Sequence, residues 1–209
     1  RRSGHQLQAV RKKRNRWAKC ICTLAHLCTA KRIPGGGRRG QHGQQRHLHV
    51  HDSAQTIEEC AGENMNKLLE LAKTYVGTPH INGGDVKGAG LDCCTLVTNY
   101  YAELGHEKIK VKFGYSADWY CQKDCKELLL PYLNKHFKRT PCLLPGYLIS
   151  YRWGHSKYAH LAVYLGGRMV LHCDADDGTV ITNLDDPKFK DALGKSRMTG
   201  FWRPKHGII

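Results

Sequence analysis

A thiol and two imidazoles stand in this sequence where they can do acyl-transfer chemistry together. The thiol is Cys93, within Gly90-Leu91-Asp92-Cys93-Cys94-Thr95-Leu96-Val97. Asp92 is a good helix N-cap residue. Leu96, Val97, Tyr100, Tyr101 and Leu104 follow at helical spacing, and Gly105 supplies a stop. Cys93 is therefore expected in the first turn of a buried helix, where unpaired backbone N–H groups and the helix dipole favour an anion. A thiol so placed is expected to have its pKa lowered and to act as a nucleophile near neutral pH. The base that matches it is His160, at the start of the strand-like run Ala159-His160-Leu161-Ala162-Val163-Tyr164-Leu165. His172 lies on the neighbouring run and can hydrogen-bond the second nitrogen of His160, fixing its tautomer. A lone strand histidine is more often structural. Two on adjacent strands, with a cysteine at a helix start, make a more specific pattern.

The elements that must position these groups are legible in the second part of the chain. Leu68, Leu69, Ala72, Tyr75 and Val76 mark an amphipathic helix beginning near Asn66 and ended by Gly77-Thr78-Pro79. A loop from His80 to Gly90 carries four glycines, which suits close backbone approach or tight turns. The nucleophile helix follows, from Cys93 to Leu104. Helix is expected within Ala117 to Leu133, with Trp119, Leu128, Leu129 and Leu133 facing inward and Cys121 and Cys125 packing rather than bridging. After Pro145-Gly146 the period changes to two. Strands are expected at Tyr147 to Tyr151, Ala159 to Leu165, Arg168 to Cys173, Val180 to Asn183 and Gly200 to Arg203, with turns at Gly166-Gly167 and Asp177-Gly178. Helices first and an antiparallel meander afterwards make an α+β domain over residues 65–209.

Charge separates the remainder. The chain has 209 residues and a net charge of +15, and residues 1–64 hold 13 Lys/Arg against 4 Asp/Glu. That stretch is rich in Arg, Lys, His, Gln and Gly, with little helical patterning. It reads as a solvated, disordered extension. A nucleic-acid-binding arm is the weighed alternative, but Trp17 is the only aromatic there for base stacking, so nucleic acid is not the expected partner. Cys20, Cys22, His26 and Cys28, or the alternating His47, His49 and His51, offer metal ligands without the paired spacing of a zinc site. No metal is expected. A further reading places the native start at Met65: Gly62-Glu63-Asn64 can be encoded by a purine-rich, ribosome-binding stretch, which makes 1–64 upstream read-through. No apolar run approaches a membrane span, and no apolar stretch follows the N-terminal charges as in a secretory signal. Ten irregularly spaced cysteines read as free thiols of a reducing compartment, not as a disulfide scaffold.

Residues 65–209 resemble the NlpC/P60 cysteine peptidases, papain-like cell-wall enzymes. The resemblance rests on Ala72-Lys73-Thr74-Tyr75-Val76-Gly77-Thr78-Pro79, the glycine loop, Asp92-Cys93, Leu96-Val97 and Gly105. It continues through Leu144-Pro145-Gly146, Ala159 to Gly166, and Leu171-His172. Asp118-Trp119, Tyr151-Arg152-Trp153-Gly154 and Gly200-Phe201-Trp202-Arg203-Pro204 look like the phage tail-assembly branch. The resemblance implies hydrolysis of peptidoglycan stem peptides between D-glutamate and diaminopimelate, without a cofactor. It implies Cys93 as nucleophile, His160 as base and then acid, His172 as orienting residue, and the Cys93 N–H as an oxyanion donor. Peptidoglycan and phage tail proteins are the expected partners; host cytoplasm during assembly and then the virion tail are the expected locations. Cys94-Thr95 replaces the family's Ser-Gly, His80 replaces an aromatic residue after the proline, and Tyr147 replaces an Asp after Pro-Gly. Cys93 is chosen over Cys94 because it follows the capping Asp92. Cys94 packs inward or, with His80 and Asp92, borders the substrate. An inactive structural tail component of the same fold, or an amidase or acyltransferase with another substrate, stays open beside the hydrolase.

Overall fold

The structure, a computed structural model, describes residues 51–111 and 114–205, with side chains from 62 onward. The basic stretch up to residue 50 lies outside the described residues, and with it the candidate ligands at Cys20 to Cys28, His47 and His49. The side chain of His51 lies outside them too.

Helix α1 (His51–Lys73) begins well before the expected start at Asn66 and crosses the 64/65 boundary. Ala54, Gln55, Glu58, Glu59 and Ala61 are good helix formers, and no proline interrupts them. Leu68 and Ala72 bury one face of its last turns, and Tyr75 follows them into the core. The glycine loop folds as a two-residue hairpin, β1 (Asp85–Val86) and β2 (Gly90–Leu91). Helix α2 (Cys93–Glu103) comes directly after it. At its far end Gly105 adopts φ 96°, a left-handed conformation that glycine takes without a Cβ penalty.

Within 117–133, where helix is expected, stand two pieces, a 3-10 turn at Trp119–Cys121 and helix α3 (Leu129–His136), which runs on past Leu133. Pro131 explains the break. It lacks an N–H and is tolerated only in a first turn, so the helix starts just before it. Trp119, Leu129 and Leu133 are buried as expected, while Leu128 is only partly so.

A six-stranded antiparallel sheet follows, in the order β3-β8-β4-β5-β6-β7. Its strands are β3 (Phe137–Thr140), β4 (Leu148–Trp153), β5 (Ser156–Gly166), β6 (Met169–Asp174), β7 (Gly178–Asn183) and β8 (Met198–Pro204). The helices and this sheet make the chain α+β. The register pairs Tyr151 with His160 across β4 and β5, and His172 with Val180 across β6 and β7. β5 is buried on both faces. Leu161, Val163 and Leu165 join the main core, against which α1, α2 and α3 pack. Ala162, Ile149, Tyr151 and Val170 form a smaller core closed by Phe189 from a second 3-10 turn, Pro187–Phe189. This double burial explains the near-continuous apolar run in β5.

Gly154, between β4 and β5, has φ 53°, and a Cβ there would collide with the Tyr120 carbonyl. That carbonyl accepts the His155 N–H at 2.7 Å. Cys93, Cys94, Cys121, Cys125 and Cys173 are free thiols, Cys121 and Cys125 unbridged as expected. Cys142 is disulfide-bonded, which corrects the expectation of free thiols at that position. Among the described residues no helix is long and apolar enough to cross a membrane.

Candidate active site

Cys93 is the first residue of α2, and Asp92 is its N-cap. One Asp92 carboxylate oxygen accepts the backbone N–H of Cys94 at 2.9 Å and of Thr95 at 2.8 Å. The Thr95 hydroxyl accepts the Asp92 N–H at 2.9 Å, completing a capping box. The other carboxylate oxygen accepts the Gly83 N–H at 2.9 Å and the Tyr115 hydroxyl at 3.0 Å. One buried carboxylate thus ties helix α2 to the glycine loop and to Tyr115. Asp92, expected to border the substrate, lies on the cleft with both oxygens engaged inside the fold. Of the two readings of Cys94, packing inward is the one the structure shows. One residue turns the helix by roughly 100°, which carries the Cys94 side chain into the core at 0% exposure, while Cys93 stays partly open.

His160 is 8% exposed and His172 is fully buried. His160 Nε2 lies 3.3 Å from His172 Nδ1, and His172 Nε2 lies 3.1 Å from the Thr182 hydroxyl on β7. The rings meet edge to face at 5.3 Å. With its Nε2 turned to His172, His160 has only Nδ1 left for a thiol. Trp153 packs edge-on against His160 at 5.3 Å, and Phe189 against His172 at 5.0 Å. These aromatic walls fix both imidazole planes.

Cys93, His80, Asp92 and His160 line one cleft of about 370 Å³, with Trp119, Tyr120 and Trp153 at its wall. No hydrogen bond joins the Cys93 sulfur to His160, but the neighbouring Leu161 N–H is directed at that sulfur. A long or open nucleophile–base contact is common before substrate binds. A larger hollow of about 580 Å³ opens beside Lys108, Lys135 and Lys205; it holds no cysteine and shares no lining residue with the cleft.

Electrostatics reverse one expectation. Burial pushes the Cys93 thiol up, and the Asp92 carboxylate adds to this; the Leu161 and Cys93 N–H groups pull the other way and are outweighed. The capping carboxylate takes the Cys94 and Thr95 N–H groups and leaves only the Cys93 N–H of this helix start to favour a thiolate. Because Cys93 is partly open to the cleft, water there softens the effect of burial without changing its sign. Burial also pushes His160 down to about 3, with His172 adding to the shift, and pushes His172 down to about 4; Asp174 opposes the shift in both and Lys188 adds to it. Both shifts favour a neutral thiol beside neutral imidazoles.

The depressed histidines predict an acid-labile fold. Unfolded histidine binds its proton near pH 6.5, whereas the folded pair stays neutral down to about 3–4. Below about pH 6.5 the unfolded chain binds more protons, so stability falls as pH falls, by up to ~1.4 kcal/mol per pH unit for each histidine. Urea unfolding of the full chain at pH 7, 6 and 5 is expected to show this loss, and a flat profile would contradict it.

The sequence reading missed several groups around the pair. Asp174 Oδ2 lies 3.5 Å from His172 Nδ1 and 2.9 Å from Lys188 Nζ, which also pairs with Asp177. Thr182 and Tyr115 were missed too. Only Asp174 carried a signal, the two-residue step from His172 that keeps it on the same strand face.

No family model matches the chain, and no curated protein matches it. Among solved structures, the chain is similar to the NlpC/p60 domain of the peptidoglycan hydrolase SagA, at 17% identity and TM-score 0.43, covering 67% of this chain and 98% of that one. It is also similar to a lipoprotein-like NLP/P60 family protein of Staphylococcus aureus, at 17% identity and TM-score 0.46, covering 69% and 42% of the two chains. A third similarity is to the peptidoglycan hydrolase RipB of Mycobacterium tuberculosis, at 19% identity and TM-score 0.42, covering 74% and 71%.

Proposed function

We propose that this chain is a thiol hydrolase of peptidoglycan stem peptides, cutting between D-glutamate and diaminopimelate. The observation that carries the reading is that Cys93, at a capped helix start, and His160, backed by the buried His172, line one cleft. The resemblance of these segments to cell-wall peptidases supplies the substrate class. Cys93 attacks the peptide carbonyl and His160 Nδ1 takes its proton. The carbonyl becomes an oxyanion beside the Cys93 N–H, which the Asp92 cap leaves unused. His160 then protonates the leaving amine, and water releases the acyl group by the reverse sequence. His172 holds His160 in the tautomer that this requires. His80 lines the same cleft and borders the bound peptide. The resemblance to the tail-assembly branch makes a phage or prophage tail the setting for this activity.

Incubating the full chain with purified muropeptides and identifying products by mass spectrometry tests the reading. Fragments ending in D-glutamate are expected. Intact muropeptides from every peptidoglycan chemotype, together with Cys93-dependent release from another acyl substrate, would assign a different hydrolase to the same site.

A further inference from the structure

Lys188 stands in the turn whose Phe189 ring packs on His172. Its ammonium is 2.9 Å from Asp174 Oδ2 and also bonds Asp177. The same Asp174 oxygen is 3.5 Å from His172 Nδ1, and that nitrogen is 3.3 Å from His160 Nε2. One ring nitrogen therefore faces both a partner imidazole and a carboxylate, and these make opposite demands on it.

If the proposed hydrolase reading holds, His160 must keep a lone pair on Nδ1 to receive the thiol proton. Its own proton then sits on Nε2 and points at His172 Nδ1, which must be a bare acceptor. The proton of His172 goes to Nε2, where the Thr182 hydroxyl accepts it. A free carboxylate beside Nδ1 works against this arrangement, because it favours a proton on that nitrogen. A proton there would face His160 Nε2 and drive the His160 proton to Nδ1, where it blocks the base.

We propose that Lys188 is a positioning residue: by pairing with Asp174 it keeps His172 Nδ1 unprotonated, so that His160 rests in the tautomer able to accept the Cys93 proton. The surrounding charges are few. Asp174 lies on the strand of His172 and Asp177 in the turn after it; Asp186 and Lys188 approach from the 3-10 turn, and His160 from β5. His80 acts on His160 from the loop after α1. Among them Lys188 is the cation bonded to the carboxylate in question. Its partners hold its own pKa up at about 12, so it stays charged through any working pH. In the opposite direction, Lys188 and the other groups around Asp174 hold that carboxyl below its usual value despite burial.

Removing the ammonium with Lys188→Met frees Asp174. The His172 imidazole is then expected to titrate at least about one pH unit higher, read by NMR of labelled histidine in a Cys93→Ala background without substrate. In the active chain the acidic limb of kcat should move up by a similar amount, so that at a given pH on that limb kcat falls by up to about tenfold, with KM little changed. Lys188→Arg should restore the profile. Lys188→Met combined with Asp174→Asn should also recover, because the carboxylate to be neutralised is gone. An unshifted histidine titration in Lys188→Met overturns the proposal, as does a double variant as impaired as the single one, since that pattern belongs to a residue that only braces its turn. The NMR arm needs no turnover, so it judges Lys188 even if muropeptides prove not to be the substrate.

Discussion

Cys93→Ala is expected to reduce muropeptide hydrolysis by roughly 10⁴-fold or more, to background, since removing the nucleophile leaves only binding and oxyanion contacts. The fold should survive, because Cys93 sits at the cleft surface and Asp92, not the thiol, caps the helix. Cys94→Ala should behave in the opposite way. It trims a fully buried side chain, costing about 1 kcal/mol of stability, and leaves turnover close to normal. His160→Ala is expected to cost about 10²–10⁴-fold as loss of general acid–base transfer, and His172→Ala less, because it orients rather than transfers. Product yield by mass spectrometry and urea midpoints together check the set. Activity retained in Cys93→Ala but lost in Cys94→Ala would move the nucleophile one residue on and break the assignment.

Asp92→Ala should be the most destabilising change near the site. The carboxylate accepts two helix N–H groups, the Gly83 N–H and the Tyr115 hydroxyl, in a place only 3% exposed. Loss of the cap costs about 1 kcal/mol. Each buried donor left without a partner adds about 1–3 kcal/mol. A total of roughly 3–5 kcal/mol is a large share of the stability of an ordinary domain. Asp92→Asn keeps a capping oxygen and should lose much less. Urea unfolding and limited proteolysis of the two variants read the difference directly. Equal midpoints for Asp92→Ala and the unaltered chain would mean that the loop and helix are held by something else.

Local patterns carried most of what the sequence disclosed. The start of α2 at Cys93 follows from Asp92 and the apolar spacing behind it, and the capping box confirms it. The later strands follow from alternation and paired turn glycines. Strand β3 was hidden because Phe137-Lys138-Arg139-Thr140 is short and charged; only pairing with β8 makes it a strand. The split of the 117–133 helix was a matter of weighing Pro131 against apolar spacing. The acidity of Cys93 was misjudged for a non-local reason. A helix start lowers a thiol pKa through its free N–H groups; here Asp92 takes two of them, and burial with the Asp92 charge outweighs what is left. Lys188 reaches Asp174 from fourteen residues away along the chain, and Tyr115 reaches Asp92 from twenty-three, distances at which side-chain type alone says nothing.

The missing side chain at Gly154 bears on what the cleft can admit. Because the Tyr120 carbonyl nests there and grips the next amide, Trp119, Tyr120 and Trp153 form a single stitched rim rather than separate flaps. Any residue larger than hydrogen at 154 collides with that carbonyl, so a substitution there parts the β4–β5 turn from the 3-10 turn that carries Trp119 and Tyr120.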